Sequence, residues 1–318
     1  MTSLTRNLVA IILVLCAGVL LFAQSPATRR LIQLLNTPEF LEKVVLDIDD
    51  AAAAGKELLH AAIDAGPAAV SELRNLLQHS NGELKKTGPV LGDRPSPELL
   101  KKGFALIALV MIGGSETVSI LQDEYKNGYK EAAVGLASTL ASSDSPRSRA
   151  MLTGFLAQDP EDEDELTAAA AYSLGLLRVP EALPRLRVLA RGSADRETTE
   201  AAKLAVQWIE KGFSTIASQP NDDRQAVLAA ILKVGIPDGT HAYFFDPTGG
   251  GFWRYSPAGW TFARGNPQDR SSGPEVDDVF LSSDSSRAFV SISTNVGEFG
   301  YSLRKDGGEW KVQMLITL

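Results

Sequence analysis

Residues 168–190, AAAAYSLGLLRVPEALPRLRVLA, carry apolar positions three and four apart on both sides of Val179-Pro180. That spacing predicts a helix on each side of the corner, because proline suits the first turn of a helix and disfavours helix in the residue before it. Each helix is too short to cover the apolar stripe of the other, so the remainder needs a neighbouring pair. The pattern recurs upstream. Placing Leu186 over Leu152, 34 residues back, brings Pro180 over Pro146 and Ala171 over Ala137. Another 31 residues back, Leu121 falls under Leu152, with Leu109, Ile112 and Val118 under Leu174, Leu177 and Leu183. A further 48 reaches Leu73, and removing a Gly/Pro-rich stretch of sixteen, residues 81–96, read as a loop, leaves 32. Periods of 31–34 predict stacked helical hairpins.

Gly66-Pro67, Gly113-Gly114-Ser115, Asp144-Ser145-Pro146 and Val179-Pro180 mark the corners between paired helices. Ala105, Ala170, Ala171, Ala201 and Ala205 fall on the first helices, where small side chains let backbones approach. Residues 27–48 predict one or two helices outside the repeat, suited to cap an end with only one neighbour. Helices over 198–211 and 222–234 close the other end.

After about residue 240 the period changes to two, and thirteen of the 22 aromatic residues lie there. Trp310, Val312, Met314, Ile316 and Leu318 alternate with polar positions, the pattern of a half-buried strand. Asp306-Gly307-Gly308 predicts the turn into it, and Thr248-Gly249-Gly250-Gly251 a second hairpin turn. The expectation is a small antiparallel sheet of five or six strands.

The segments Ala-Ala-Ala-Tyr-Ser-Leu-Gly-Leu-Leu (169–177), Pro-Glu-Ala-Leu-Pro-Arg-Leu (180–186) and Glu-Thr-Thr-Glu-Ala-Ala-Lys-Leu-Ala (197–205) carry a resemblance. Through them residues 50–211 resemble HEAT repeats, closest to the short type of phycobilisome lyases. The resemblance implies an armadillo-like superhelical α-solenoid that works as a scaffold for protein binding. No bilin site is marked, so lyase activity is not carried over.

Residues 8–23 are sixteen uninterrupted apolar or glycine positions after Arg6, followed by Gln24-Ser25-Pro26-Ala27. This is the layout of a signal peptide cut after Ala23 or Ala27. Retained, it would be an N-terminal membrane anchor, although a span usually needs about 20 apolar residues. Both readings place the rest of the chain outside the cytoplasm, periplasmic or secreted. Cys16, the single cysteine, lies inside the segment behind Leu15, which disfavours lipidation and leaves the exported part without thiols. The formal charge of -8, with no clustered Lys and Arg, argues against a nucleic-acid partner.

Candidate chemistry is sparse. His60, His79 and His241 are too scattered for paired metal ligands. Nucleophile-elbow and phosphate-loop motifs are absent from the sequence. The run Glu161-Asp162-Glu163-Asp164-Glu165 follows Asp159-Pro160, where acidic residues favour a first helical turn. Asp47, Asp49 and Asp50 likewise fit a helix boundary rather than a calcium loop. Phe252, Trp253, Tyr255, Trp260 and Phe262 form the candidate ligand or docking surface, since alternation puts aromatic rings on both faces of one strand.

The expected fold is α+β: a signal peptide or anchor over 1–26, an all-α solenoid over 27–239 and an antiparallel β module over 240–318. The expected function is a non-enzymatic extracytoplasmic scaffold that binds a protein or other ligand, without cofactor or metal, and touches membrane only through residues 8–23. The alternatives are a hydrolase or lyase with His241 at the junction of the two parts, and small-ligand binding by the β module.

Overall fold

The computed structural model describes residues 25–317 except 47, 92–93, 131, 159–163, 193–194, 218, 238–241 and 266–272. The expected signal segment thus lies outside the described residues. The chain is a mixed α+β protein, mostly helical, with a curled seven-stranded sheet in its C-terminal part. It divides into two compact units, Met1–Lys102 and Gly103–Leu318.

In the first unit α1 (Pro26–Leu35) and α2 (Pro38–Leu46) pack on α3 (Ile48–Ala65). Ser25 caps α1, its Oγ accepting from the Thr28 N–H at 3.0 Å, and Pro26 follows at the first helical position. A single 3-10 turn over Gly66–Ala69 leads into α4 (Val70–Thr87). Leu31, Leu35, Leu58, Ile63, Leu73 and Leu77 are buried in this unit. The stretch 81–96 is not one loop. Its first seven residues extend α4 straight through Asn81-Gly82, since a lone glycine weakens a helix without ending it, and Gly88 ends it at φ 80°. The rest forms a tiny hairpin of β1 (Val90–Leu91) and β2 (Arg94–Pro95).

Helix α5 (Pro97–Ile112) runs from the first unit into the second. There follow α6 (Ser115–Lys126), α7 (Ala132–Leu140), α8 (Pro146–Leu156), α9 (Asp164–Leu176), α10 (Leu183–Ala190), α11 (Arg196–Lys211) and α12 (Asp223–Val234). The expected corners fall between helices. Ser145 caps α8 through the Ser148 N–H at 3.0 Å, and Asp195 and Asp222 cap α11 and α12. At the end of α9, Arg178 takes φ 51° while the Val179 N–H returns to the Leu174 carbonyl at 3.0 Å. This is a Schellman-type stop with arginine where glycine is usual. Helix α9 lies against α7, α8 and α11. The approach is close: Ser173 Oγ donates to the Ala137 carbonyl at 2.7 Å, and a Cβ on Gly175 would meet the Ala205 Cα at 2.7 Å. Ala105, Ala170, Ala171, Ala201 and Ala205 are fully buried, as small residues at such crossings should be.

The strands β3 (Tyr243–Asp246), β4 (Gly251–Ser256), β5 (Gly259–Arg264), β6 (Glu275–Leu281), β7 (Arg287–Thr294), β8 (Gly297–Asp306) and β9 (Glu309–Thr317) lie in the order β5-β4-β3-β6-β7-β8-β9. Two differences from the expectation stand out: there are seven strands, and β3 runs parallel to β6. A parallel neighbour cannot be reached by a tight turn, and here the β4-β5 hairpin stands between β3 and β6 in the chain. Val290, Ile292, Phe299, Tyr301 and Leu303 line one face, which meets α9 and α12. On the opposite face Ser302 Oγ donates to the Met111 carbonyl of α5 at 3.4 Å.

The alternation along β9 is broken. Leu303 pairs with Val312 but Ser302 pairs with Met314, so Gln313 is a bulge residue. Paired residues share a face, and Tyr301 faces Leu315. Leu315 therefore joins Trp310 and Val312, whereas Met314 and Ile316 turn to the other side. The simple period-two reading of residues 310–318 fails at this point.

Candidate functional site

The five aromatic residues singled out in the sequence do not form one open surface. Trp253 is fully buried, with Phe262 edge-on to it at a centroid distance of 5.4 Å. Phe252 pairs with Tyr243, and Tyr255 with Trp260 at 5.3 Å. Trp260 also exchanges backbone bonds with the 215–217 segment, which follows α11. Tyr255, half exposed at 50%, is the member that reaches solvent most. The group mainly holds the β3-β4-β5 end of the sheet together.

The triple glycine makes the expected turn, with Gly250 at φ 65°. The carboxylate it receives is internal: the Gly249 N–H donates to Asp246 Oδ1 at 2.9 Å. Arg224 of α12 donates to the same carboxylate. Burial pushes the Asp246 carboxyl up, but Arg224, the Gly249 amide and Thr248 together bring it below the ordinary carboxylate value. This cluster is a structural clamp. His241 and the first three residues of the acidic run, Glu161-Asp162-Glu163, lie outside the described residues, while Asp164 and Glu165 open α9. Among the described residues, His, Cys, Asp and Glu form no group that could hold a metal ion, and no helix is long and apolar enough to cross a membrane.

A different place gathers polar groups. A pocket of about 170 Å³ lies between α7, α9, the start of α11 and the end of β9. Val134 and Ser138 are one turn apart on α7. Glu165, Ala169 and Tyr172 fall at i, i+4 and i+7 on α9, and so share one helix face. Glu197 comes from the first turn of α11, and Leu315, Ile316 and Thr317 close the opposite wall. The bulge at Gln313 sets which of these strand residues turn towards the helices.

The polar groups of the pocket are unevenly satisfied. Thr317 Oγ1 donates to Glu197 Oε1, and Ser138 Oγ to the Val134 carbonyl at 3.1 Å. Tyr172, only 1% exposed, has a hydroxyl with no hydrogen-bond partner. Its ring is fixed edge-on to Phe299 and tilted against Trp208, both with centroids 6.4 Å away. Burial raises its pKa well above 10.0, and Glu197, Glu200 and Asp195 push it the same way. The phenol is therefore neutral at any physiological pH. Among the described lining residues two are acidic and none is basic. In the sequence Tyr172 reads as repeat core and Glu197 as a first-turn carboxylate, which is why the site escapes a motif search.

The chain matches no known protein family, no curated protein and no solved structure.

Proposed function

We propose that the protein is a non-enzymatic, extracytoplasmic scaffold whose helices form a HEAT-like stack and bind a protein partner on their outer surface. The observation that carries this reading is the recurring neighbour pattern of the second unit. Helix α7 lies beside α9 and α9 beside α11, while α6, α8 and α10 each lie against the next member of that row. Small residues at Ala137/Ser173 and Gly175/Ala205 permit the same close approach at successive steps. An arrangement in which each unit meets mainly its neighbours leaves a continuous outer surface, the property repeat proteins use for binding. Export is supported by the apolar run over 8–23 and by the lack of cysteine after it.

The test uses the full-length chain as bait in a cell-envelope extract, followed by binding measurements with the purified partner. Val188 of α10 is 55% exposed and offers a site to disturb the helical surface. Val188→Glu should weaken the purified complex, and Tyr255→Ser on the sheet should leave it unchanged. The opposite split would move the function to the β module.

A further inference from the structure

We propose that Met151 is an oxidation site, converted by a peroxide to its sulfoxide, and that the Gln122 amide receives the new oxygen and keeps α6 and α8 in contact. The inference goes beyond the scaffold reading and does not depend on it. Beyond residue 26 the chain has no cysteine, and its sulfur atoms are those of Met111, Met151 and Met314. Met111 and Met314 are 1% and 2% exposed, whereas Met151 on α8 is partly exposed. Oxidation follows exposure, so an oxidant in solution meets Met151 first.

A second observation distinguishes this sulfur. The side-chain amide of Gln122 on α6, a buried residue, donates to Met151 Sδ at 3.0 Å. A thioether is a weak acceptor, so the amide gains less from it than from an oxygen. Methionine oxidation is usually disruptive, because a polar oxygen enters an apolar contact. Here the oxygen enters beside a donor already turned to the sulfur. One turn further on, Tyr125 of α6 and Phe155 of α8 meet edge-on with ring centroids 5.9 Å apart, which holds the two helices together in either form of the sulfur. The step is a two-electron oxygen transfer. A sulfur lone pair attacks one peroxide oxygen, the S–O bond forms as the O–O bond breaks, and the second oxygen takes up the proton and leaves as water. The thioether is oxidised and hydrogen peroxide is reduced. Sulfur has two lone pairs, so the bond from Gln122 does not block the attack. The unbranched methionine side chain then rotates to bring its oxygen to the amide.

Treatment of the full-length chain with hydrogen peroxide, followed by peptide mapping over time, tests the site. Oxygen should appear on Met151 about tenfold faster than on Met111 or Met314, which are reached only when the fold opens. The chain oxidised at Met151 should unfold at the same urea concentration as the untreated chain, or at a higher one. In Gln122→Leu the new oxygen has no amide to meet, so oxidation should lower the midpoint. Met151→Leu should show no peroxide-dependent shift of the midpoint. The order of oxidation is read on the native chain alone, so it decides the site even if Gln122→Leu does not fold. Earlier oxidation of Met111 or Met314, a midpoint that falls when the native chain is oxidised, an equal change in Gln122→Leu, or a shift that survives in Met151→Leu would each overturn the proposal. None of these readings involves a partner, so the scaffold experiment can fail without touching them.

Discussion

Arg224 and Asp246 lock the first turn of α12 to the end of β3 in a two-pronged pair, Nη2 to Oδ1 at 2.9 Å and Nε to Oδ2 at 3.3 Å. The Asp246 side chain is nearly fully buried and that of Arg224 is 29% exposed. Breaking such a pair leaves an uncompensated charge, so Arg224→Ala should cost about 2–4 kcal/mol in urea unfolding. Asp246→Asn should cost a similar amount, because it also weakens the acceptor for the Gly249 amide. A loss below about 1 kcal/mol in both would mean that the clamp contributes little to the fold.

The helix crossings predict unequal responses to the same added methyl. A Cβ on Gly175 would lie 2.5 Å from Trp208 Cε3 and 2.7 Å from the Ala205 Cα, and the backbone atom cannot rotate away. Gly135 would meet Val110 Cγ2 at 2.6 Å, the end of a side chain. Gly175→Ala should therefore destabilise by about 3 kcal/mol or more, and Gly135→Ala by about 1–2 kcal/mol. Thermal unfolding of the two variants gives the order directly.

Two buried tyrosines should respond with opposite sign. Tyr301 donates to the Gly235 carbonyl at 3.2 Å, tying β8 to the end of α12, so Tyr301→Phe should cost about 1 kcal/mol. Tyr172→Phe should be neutral or stabilising by up to about 1 kcal/mol, because its hydroxyl gives up no protein bond on removal. Urea midpoints compared at equal slope separate the two. A clear loss in Tyr172→Phe would mean that its hydroxyl is already satisfied in the folded protein.

Much of the helical part is legible from local chemistry. Ser145-Pro146, Asp195 and Asp222 are start signals that act within one turn, and the helices begin where they stand. The Thr248–Gly251 turn is legible for the same reason. What escaped the sequence depends on partners distant along the chain. The bulge at Gln313 exists only in the pairing of β8 with β9, and the parallel step from β3 to β6 only once the crossover is placed. The pocket draws on positions from Val134 to Thr317. No spacing rule links Tyr172 to Glu197 and Thr317. By contrast the aromatic group of 252–262 was conspicuous in sequence because it is concentrated, and the structure uses it largely for packing.

Acid sensitivity should trace in part to Asp284, in the turn between β6 and β7. Its carboxylate accepts from Ser282 Oγ at 2.6 Å, Ser286 Oγ at 2.7 Å and the Ser286 N–H at 3.0 Å. These bonds, with the Arg287 charge nearby, lower its pKa from 3.8 to about 2. Because the folded value lies below the unfolded one, the stabilisation is complete above pH 3.8 and is lost as the pH falls through about 2. Asp284→Asn should therefore unfold more easily than the native chain at pH 6, and the gap should shrink steadily as the pH falls from 3.8 towards about 2. The Asp284 side chain is 58% exposed, so solvent screening holds the gap at pH 6 to about 1 kcal/mol or less. Urea midpoints across this range decide it: a difference that does not shrink on acidification would show that the turn depends on the shape of the side chain rather than its charge.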